Sequence, residues 1–148
     1  MSFNPSDLGW IAPFLILAIT GMLLVLAEAF FKGKDHTALV GLTVAGSLAA
    51  AIAAILMYRK LGVTEVVPIF ADAKSGAMLV ADRLGCVLTA LFAFTAAFVA
   101  LITPAHQREH SWKIGEFYGI LLLSTAGMVI LAQAASLVTV FIGIETMS

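Results

Sequence analysis

The chain has 148 residues, of which 61% are hydrophobic and 11% charged, and its mean hydropathy is +1.06. Soluble globular domains carry about 25% charged residues, so this composition predicts an integral membrane protein. The formal net charge of -1 gives no basic surface for nucleic acid, and the single cysteine excludes a disulfide framework and a Cys-ligated iron–sulfur cluster.

The first two apolar runs predict transmembrane helices over 11–31 and 37–58, after an N-terminal segment 1–10 without Lys or Arg. The first run exceeds the roughly 7–15 residues of a signal-peptide core, so we interpret it as a retained helix. Glu28 is its one charge, and it precedes Lys32 by four residues, an order that favours a helical ion pair. The alternative is a carboxylate that reaches the headgroups.

A mixed charged and apolar loop over 59–83 separates these helices from a third predicted span, 84–103. Its apolar stretches predict that it packs on the membrane surface. Asp82 is predicted to cap the third helix and Arg83 to anchor it at the interface, with a role in transport as the alternative.

A polar loop over 104–115 then leads to the fourth span. Within it, His106, Glu109 and His110 match the H-x-x-E-H pattern of a zinc protease. We reject that interpretation, because the pattern lies directly after Pro104 in a short loop, whereas the metal site needs a stable helix beside a water-filled cleft.

The next run, 117–144, carries no charge and would measure about 42 Å as one helix, against a hydrocarbon core of about 30 Å. Two helices fit better, over 116–132 and from 135 to 148, with a turn within 132–136. Glu116 complements the positive end of the fourth helix dipole. The last stretch is shorter than the about 20 residues needed to cross, so we expect a span completed elsewhere, as in the front part of a longer protein.

The predicted fold is therefore all-α: a polytopic transmembrane helical bundle with four complete helices and the first half of a fifth. Lys and Arg are equally divided between the two sides, so the positive-inside rule gives a tie. One of the two sets is concentrated in the shorter loops. This favours placing those loops in the cytoplasm and therefore the N-terminus outside. Small residues four apart, at Gly41, Ala45, Ala49 and Ala53, are candidates for a helix contact.

Glu145 is the candidate functional residue. An ionisable side chain deep in an apolar span marks a proton or ion path or pairs with another helix. Its helical neighbours Phe141, Ile142 and Ser148 offer no opposite charge. Its partner must then lie outside this sequence, or the carboxyl must be protonated, and the alternative role is a neutral, hydrogen-bonded group that fixes helix packing.

No nucleotide-binding loop, paired cysteine or nucleophile elbow occurs. The segment from Gly115 to Ser148 instead resembles subunit N of bacterial NADH-quinone oxidoreductase, respiratory complex I. The resemblance lies in Gly115-Glu-Phe-Tyr, Leu121-Leu-Leu-Ser, Gly127-Met and Leu137-Val-Thr-Val-Phe-Ile-Gly-Ile-Glu-Thr-Met-Ser. Weaker agreement covers Pro13, Ala27-Glu-Ala-Phe30 and Asp82-Arg-Leu.

The resemblance implies an antiporter-like, membrane-arm subunit that couples electron transfer from NADH to quinone with proton pumping. Glu145 would be the proton-channel carboxylate that pairs with a lysine two helices later, beyond this sequence. The chain would hold no cofactor, with FMN and iron–sulfur clusters in other subunits. Its partners would be other membrane-arm subunits, the lipid bilayer, protons and quinone bound elsewhere, in a multi-pass protein of the bacterial inner (plasma) membrane.

Two alternatives remain open from the sequence. The same helices could serve a multi-subunit cation/proton antiporter or a membrane-bound hydrogenase, which different partner subunits would distinguish. A non-enzymatic membrane scaffold fragment is the third possibility, in which Glu145 would only support packing or assembly. We expect the 148 residues by themselves to be inactive.

Overall fold

The computed structural model describes residues 5–30, 36–71, 76–107 and 114–148. They form an essentially all-helical bundle, which confirms the predicted fold class. Its elements in chain order are α1 (Pro5–Trp10), α2 (Ala12–Phe30), α3 (His36–Lys60), β1 (Val67–Ile69), β2 (Leu79–Ala81), α4 (Arg83–Gln107), α5 (Ile114–Ala132) and α6 (Leu137–Met147).

Three of these helices are long and apolar enough to cross a membrane: α2, α3 from Thr37 and α4 as far as Pro104. The apolar helices α5 and α6 are shorter. The predicted span 11–31 corresponds to α2, and 37–58 corresponds to α3. The break between α5 and α6 falls within 132–136, the segment for which the sequence predicts a turn.

Several helix ends differ from the predicted boundaries: α5 begins at Ile114, inside the predicted loop 104–115, and α6 begins at Leu137 and not at 135. The N-terminal segment 1–10 contains the short helix α1. Helix α3 continues through Arg59 and Lys60, because basic side chains in a last turn interact favourably with the helix dipole. Helix α4 continues through Pro104 into the predicted loop 104–115, with Pro104 three residues before its last residue, Gln107.

The bundle is centred on α2 and α5, which pack antiparallel. A Cβ added to Gly21 would lie 3.2 Å from the Gly119 carbonyl oxygen, so these glycines permit close contact between the two backbones. Leu17, Leu24 and Leu122 are fully buried beside this contact. Because lipid tails are as apolar as leucine, this close packing, rather than removal of surface from water, holds the helices together.

Helix α3 packs against α2 and α4 through a different face from the one expected. Gly41, Ala45 and Ala49 of the predicted small-residue row are exposed, so that interpretation is wrong for α3. The buried face instead carries Thr43, Gly46, Ser47, Ala50 and Ala54. The hydroxyls of Thr43 and Ser47 donate to backbone carbonyls one turn earlier, which lets polar residues occupy a buried helix face without unpaired groups.

The loop 59–83 contains a two-stranded antiparallel sheet that the sequence analysis missed. Val67 pairs with Ala81 and Ile69 with Leu79. Pro68 lies in β1, which is an edge strand, where a missing backbone donor is tolerated. Directly after β1, Phe70 has a φ of 52°, an uncommon backbone conformation for a bulky residue.

Helices α5 and α6 run antiparallel and come together through Gly127 and Gly143. A Cβ on Gly127 would lie 2.6 Å from the Met147 backbone nitrogen, and one on Gly143 would lie 3.2 Å from the Leu131 backbone nitrogen. The Ser124 hydroxyl also donates to the Met147 carbonyl over 2.9 Å. The two helices therefore touch backbone to backbone, with no room for a side chain between them.

We predict that Gly127→Ala separates α5 from α6 and lowers the free energy of unfolding by about 2 kcal/mol, because the added methyl meets backbone that cannot rotate away. Gly41→Ala is the matched control, since nothing lies within 4 Å of its added Cβ. Denaturant titration of the full-length protein in detergent micelles, followed by circular dichroism, measures both. Equal stability of the two variants would contradict the close approach.

Candidate functional site

The candidate site is built around the break between α5 and α6. After Ala132 the chain makes two tight turns, in which the Gln133 amide donates to the Ile130 carbonyl over 3.2 Å and the Ala134 amide donates to the Leu131 carbonyl over 3.3 Å. The Ile130 and Leu131 carbonyls near the end of α5 therefore still accept backbone hydrogen bonds.

The hairpin β1–β2 supplies the remaining backbone partners of the break. The Val80 amide donates to the Gln133 carbonyl over 2.8 Å, and the Ala135 amide donates to the Met78 carbonyl over 3.0 Å. Leu79 and Ala134 form an antiparallel bridge between them. The break therefore adds a short third strand to the hairpin, although the hairpin precedes the break by more than fifty residues in the sequence.

Ser136 and Thr139 start α6 and fix it to the same hairpin. The Ser136 hydroxyl accepts from the Thr139 amide over 3.2 Å, which makes Ser136 the N-cap. The Thr139 hydroxyl donates to the Met78 carbonyl over 2.9 Å and lies 2.8 Å from the Ser136 hydroxyl. The Met78 carbonyl thus accepts from both the break and the first turn of α6.

Glu145 lies near the end of α6, on the side away from α5. Thr139 and Gly143 are the buried residues of this helix, and Glu145 follows Gly143 by two positions, about 200° around the helix. Its side chain is exposed. Within the described ranges its carboxylate has no hydrogen-bond or ion-pair partner, and the Ser148 hydroxyl donates to its backbone carbonyl over 3.4 Å.

The exposed surface of α6 that leads up to Glu145 is apolar. Phe141, Ile142 and Ile144 are all exposed, and so are Leu137 and Val138 at the other end of α6. We call this open surface of α6, from Leu137 to Glu145, the α6 face. It presents a single carboxylate in an apolar surround, a combination that is costly in hydrocarbon unless the carboxylate is neutral or meets a polar partner.

The other carboxylates singled out from the sequence lie apart from Glu145. Asp82 caps α4, as predicted, by accepting from the Gly85 amide over 2.7 Å. Glu28 has one carboxylate oxygen that is buried without a hydrogen-bond partner in the described part of the chain. Its expected partner Lys32 lies outside the described residues, so the predicted ion pair stays a prediction.

Arg83 joins the ends of α3 and α4. Its guanidinium donates twice to the Leu61 carbonyl, over 3.2 Å and 2.9 Å, and lies 4.9 Å from the centre of the Tyr58 ring. Arg83 therefore satisfies a backbone acceptor just after α3 and gains a cation–π contact, which gives it a structural role.

The rejected zinc pattern cannot be placed, because Glu109 and His110 lie outside the described residues. Elsewhere in the described part of the chain, no three His, Cys, Asp or Glu side chains come together as a metal site.

Sequence reasoning missed the three groups that organise this site: the Met78 carbonyl, the Thr139 hydroxyl and Gln133. Strand pairing between distant segments leaves no local signal when each strand has three residues. One signal was available, since Ser136 followed by Thr139 at an apolar helix start is typical of an N-cap.

The chain is similar to several known proteins over most of its length. The sequence is 31% identical to NADH-quinone oxidoreductase subunit N of Trichlorobacter lovleyi over 146 residues, 99% of this chain. It is 32% identical to subunit N 1 of Sorangium cellulosum over 93% of the chain, and 26% identical to subunit N of Chloroflexus aggregans over 100%. No family model matches.

The chain is similar to NADH-quinone oxidoreductase subunit N over nearly its whole length. The resemblance inferred from residues 115–148 is thus confirmed and extends to the other helices. The chain spans 28% of the length of each of these three subunit N relatives. Together with the long apolar helices, the similarity indicates a multi-pass membrane protein.

We predict that Thr139→Val loosens α6 from the hairpin in this subunit N-like chain. Valine keeps the shape but removes the hydrogen bond to the Met78 carbonyl, at a cost of about 1–2 kcal/mol. Hydrogen exchange at the Ala135 and Val80 amides should therefore accelerate by about tenfold or more.

Thr146→Val is the control, because the Thr146 hydroxyl donates to the Ile142 carbonyl within α6 itself and not to the hairpin. Exchange at the same two amides should stay unchanged in this variant. If Thr139→Val also leaves these amides protected, the hairpin is not held through Thr139.

Proposed function

We propose that this chain forms part of the membrane arm of a proton-translocating NADH:quinone oxidoreductase and that Glu145 is a carboxylate of its proton channel. The observation that supports this most is the placement of Glu145 on the α6 face, with its carboxylate open and its helix fixed by the hairpin. The similarity to subunit N of NADH-quinone oxidoreductase supports the assignment to this complex.

The physical basis of the role is that the protonation of a carboxylate in an apolar environment responds strongly to nearby charges. Coulomb interactions there are several times stronger than in water. A cation that approaches the α6 face favours the ionised carboxylate, and its withdrawal favours the protonated one. Glu145 would then take up and release a proton as charge moves beside it, while α6 holds the carboxylate in place.

The rest of the proposal concerns the complex. Electron transfer from NADH to quinone would take place in other subunits, which would hold FMN and the iron–sulfur clusters. This chain would contact other membrane-arm subunits and the lipid of a bacterial inner membrane. It would contribute to the reaction as a non-redox part of a translocase, by moving protons and not electrons.

We predict that Glu145→Gln in the full-length protein lowers NADH-driven proton pumping by inverted membrane vesicles several-fold, because the amide has similar shape but cannot release a proton. Quinone reductase activity and assembly of the complex are measured on the same vesicles. Unchanged pumping at normal turnover would reduce Glu145 to a packing element.

Glu65→Gln is the matched control. Its carboxylate lies in the loop after α3 and accepts from the Gly62 amide over 2.8 Å, a bond that glutamine can keep. Pumping should remain at the level of the unmodified protein. If instead the chain copurifies with subunits of a cation/proton antiporter and gives no NADH-driven activity, the assignment to this complex fails irrespective of Glu145.

A further inference from the structure

A cavity of about 190 Å³ lies beside the α5–α6 break. It is partly open to the outside and is lined by the start of α2, the hairpin and the adjoining parts of α5 and α6. Its lining includes Phe14, Phe70, Leu79, Val129, Gln133 and Ile142. Nothing in the proposed proton path uses this cavity.

The lining is almost entirely apolar, and its two polar side chains differ in what they can still bind. The Thr139 hydroxyl donates to the Met78 carbonyl and lies within hydrogen-bond distance of the Ser136 hydroxyl, so its capacity is used. Gln133 is only 3% exposed, and its side-chain amide makes one long bond of 3.5 Å to the Thr89 hydroxyl.

One hydrogen-bonding end of the Gln133 amide has no partner among the described residues. An amide carries a carbonyl acceptor and two donors, so this end can still bind a polar group. It is not sealed inside the protein, because the buried side-chain atoms that lack a partner in the described part of the chain are Glu28 Oε2 and Tyr118 Oη. A ligand that enters the cavity with one matching polar group would pair with it.

The size and polarity of the cavity narrow the choice of ligand. An apolar cavity of about 150 Å³ accepts benzene, so the present volume suits one six-membered ring with a small substituent. A plain hydrocarbon chain would fill the space but leave the Gln133 amide unpaired.

Phe70 adds an independent observation. Its backbone has a φ of 52°, which is uncommon for an aromatic residue, and its side chain lines the cavity. Such conformations cluster where surrounding structure holds a side chain in a functional position. Here the constraint presents the Phe70 ring to the cavity opposite the helices.

We propose that this cavity binds a small ring-shaped apolar molecule that carries one hydroxyl group, with the ring among Phe14, Phe70 and Val129 and the hydroxyl on the Gln133 amide. The class of ligand follows from the apolar lining and from the one side-chain amide in it that can still form a hydrogen bond.

The test compares 4-fluorophenol with fluorobenzene as probes, using fluorine NMR on the full-length protein in lipid nanodiscs and subtracting partition into protein-free nanodiscs. We expect saturable binding of 4-fluorophenol, about tenfold tighter than fluorobenzene, the ratio that one buried hydrogen bond supplies. This comparison needs no variant, so it decides the proposal even where a substitution impairs folding.

Two variants locate the site. Gln133→Met should bring the two affinities to within about twofold of each other, and Val129→Phe should abolish binding of both probes by filling the cavity. Leu48→Phe, at an exposed position on α3, is the matched control and should bind as the unmodified protein does. Circular dichroism checks that each variant is folded.

Three outcomes would overturn the proposal. Equal affinity for the two probes would mean that Gln133 does not select a hydroxyl. Binding that survives in folded Val129→Phe would place the probe elsewhere. Absence of saturable binding by either probe would mean that a lipid chain or further protein occupies the space.

Discussion

The structure depends on how a helix break is satisfied in a protein surrounded by lipid. The break between α5 and α6 lies beside the loop that joins α3 to α4, at the ends of these helices, and its backbone groups pair with other parts of the chain. The hairpin β1–β2 supplies these partners: its Met78 carbonyl accepts from the Ala135 amide and the Thr139 hydroxyl, and its Val80 amide donates to the Gln133 carbonyl. The loop between α3 and α4 thereby determines where α6 begins and in which direction it runs.

The direction of α6 then determines which side of the helix is buried and which is exposed. One side is occupied by backbone contact with α5 at Gly127 and Gly143, which leaves no space for side chains. Glu145 is consequently on the other side, in the apolar surround of the α6 face. An open carboxylate on a firmly held helix suits a group that must exchange a proton without moving far, and this is the physical core of the proposed role in a complex I membrane arm.

The sequence predicts much of the helical fold because length and apolarity alone mark a membrane helix, and a run too long for one span has to be divided near 132–136. It also predicts the Asp82 cap, which is local. It fails for the contact face of α3, because alanine and glycine are common on every side of that helix, and for the hairpin, whose pairing partners are distant in sequence. Glu145 can be recognised as a candidate from its charge, whereas its open placement follows from the packing of α5 against α6.

The most direct measurement of the central claim is infrared difference spectroscopy of the assembled full-length complex, recorded on addition of NADH, for the unmodified protein and Glu145→Gln. The account predicts a protonated-carboxyl stretching band that changes with turnover and disappears in the variant, because Glu145 changes its protonation state. Identical carboxyl bands in both proteins would contradict the account, since Glu145 would then keep one protonation state throughout turnover.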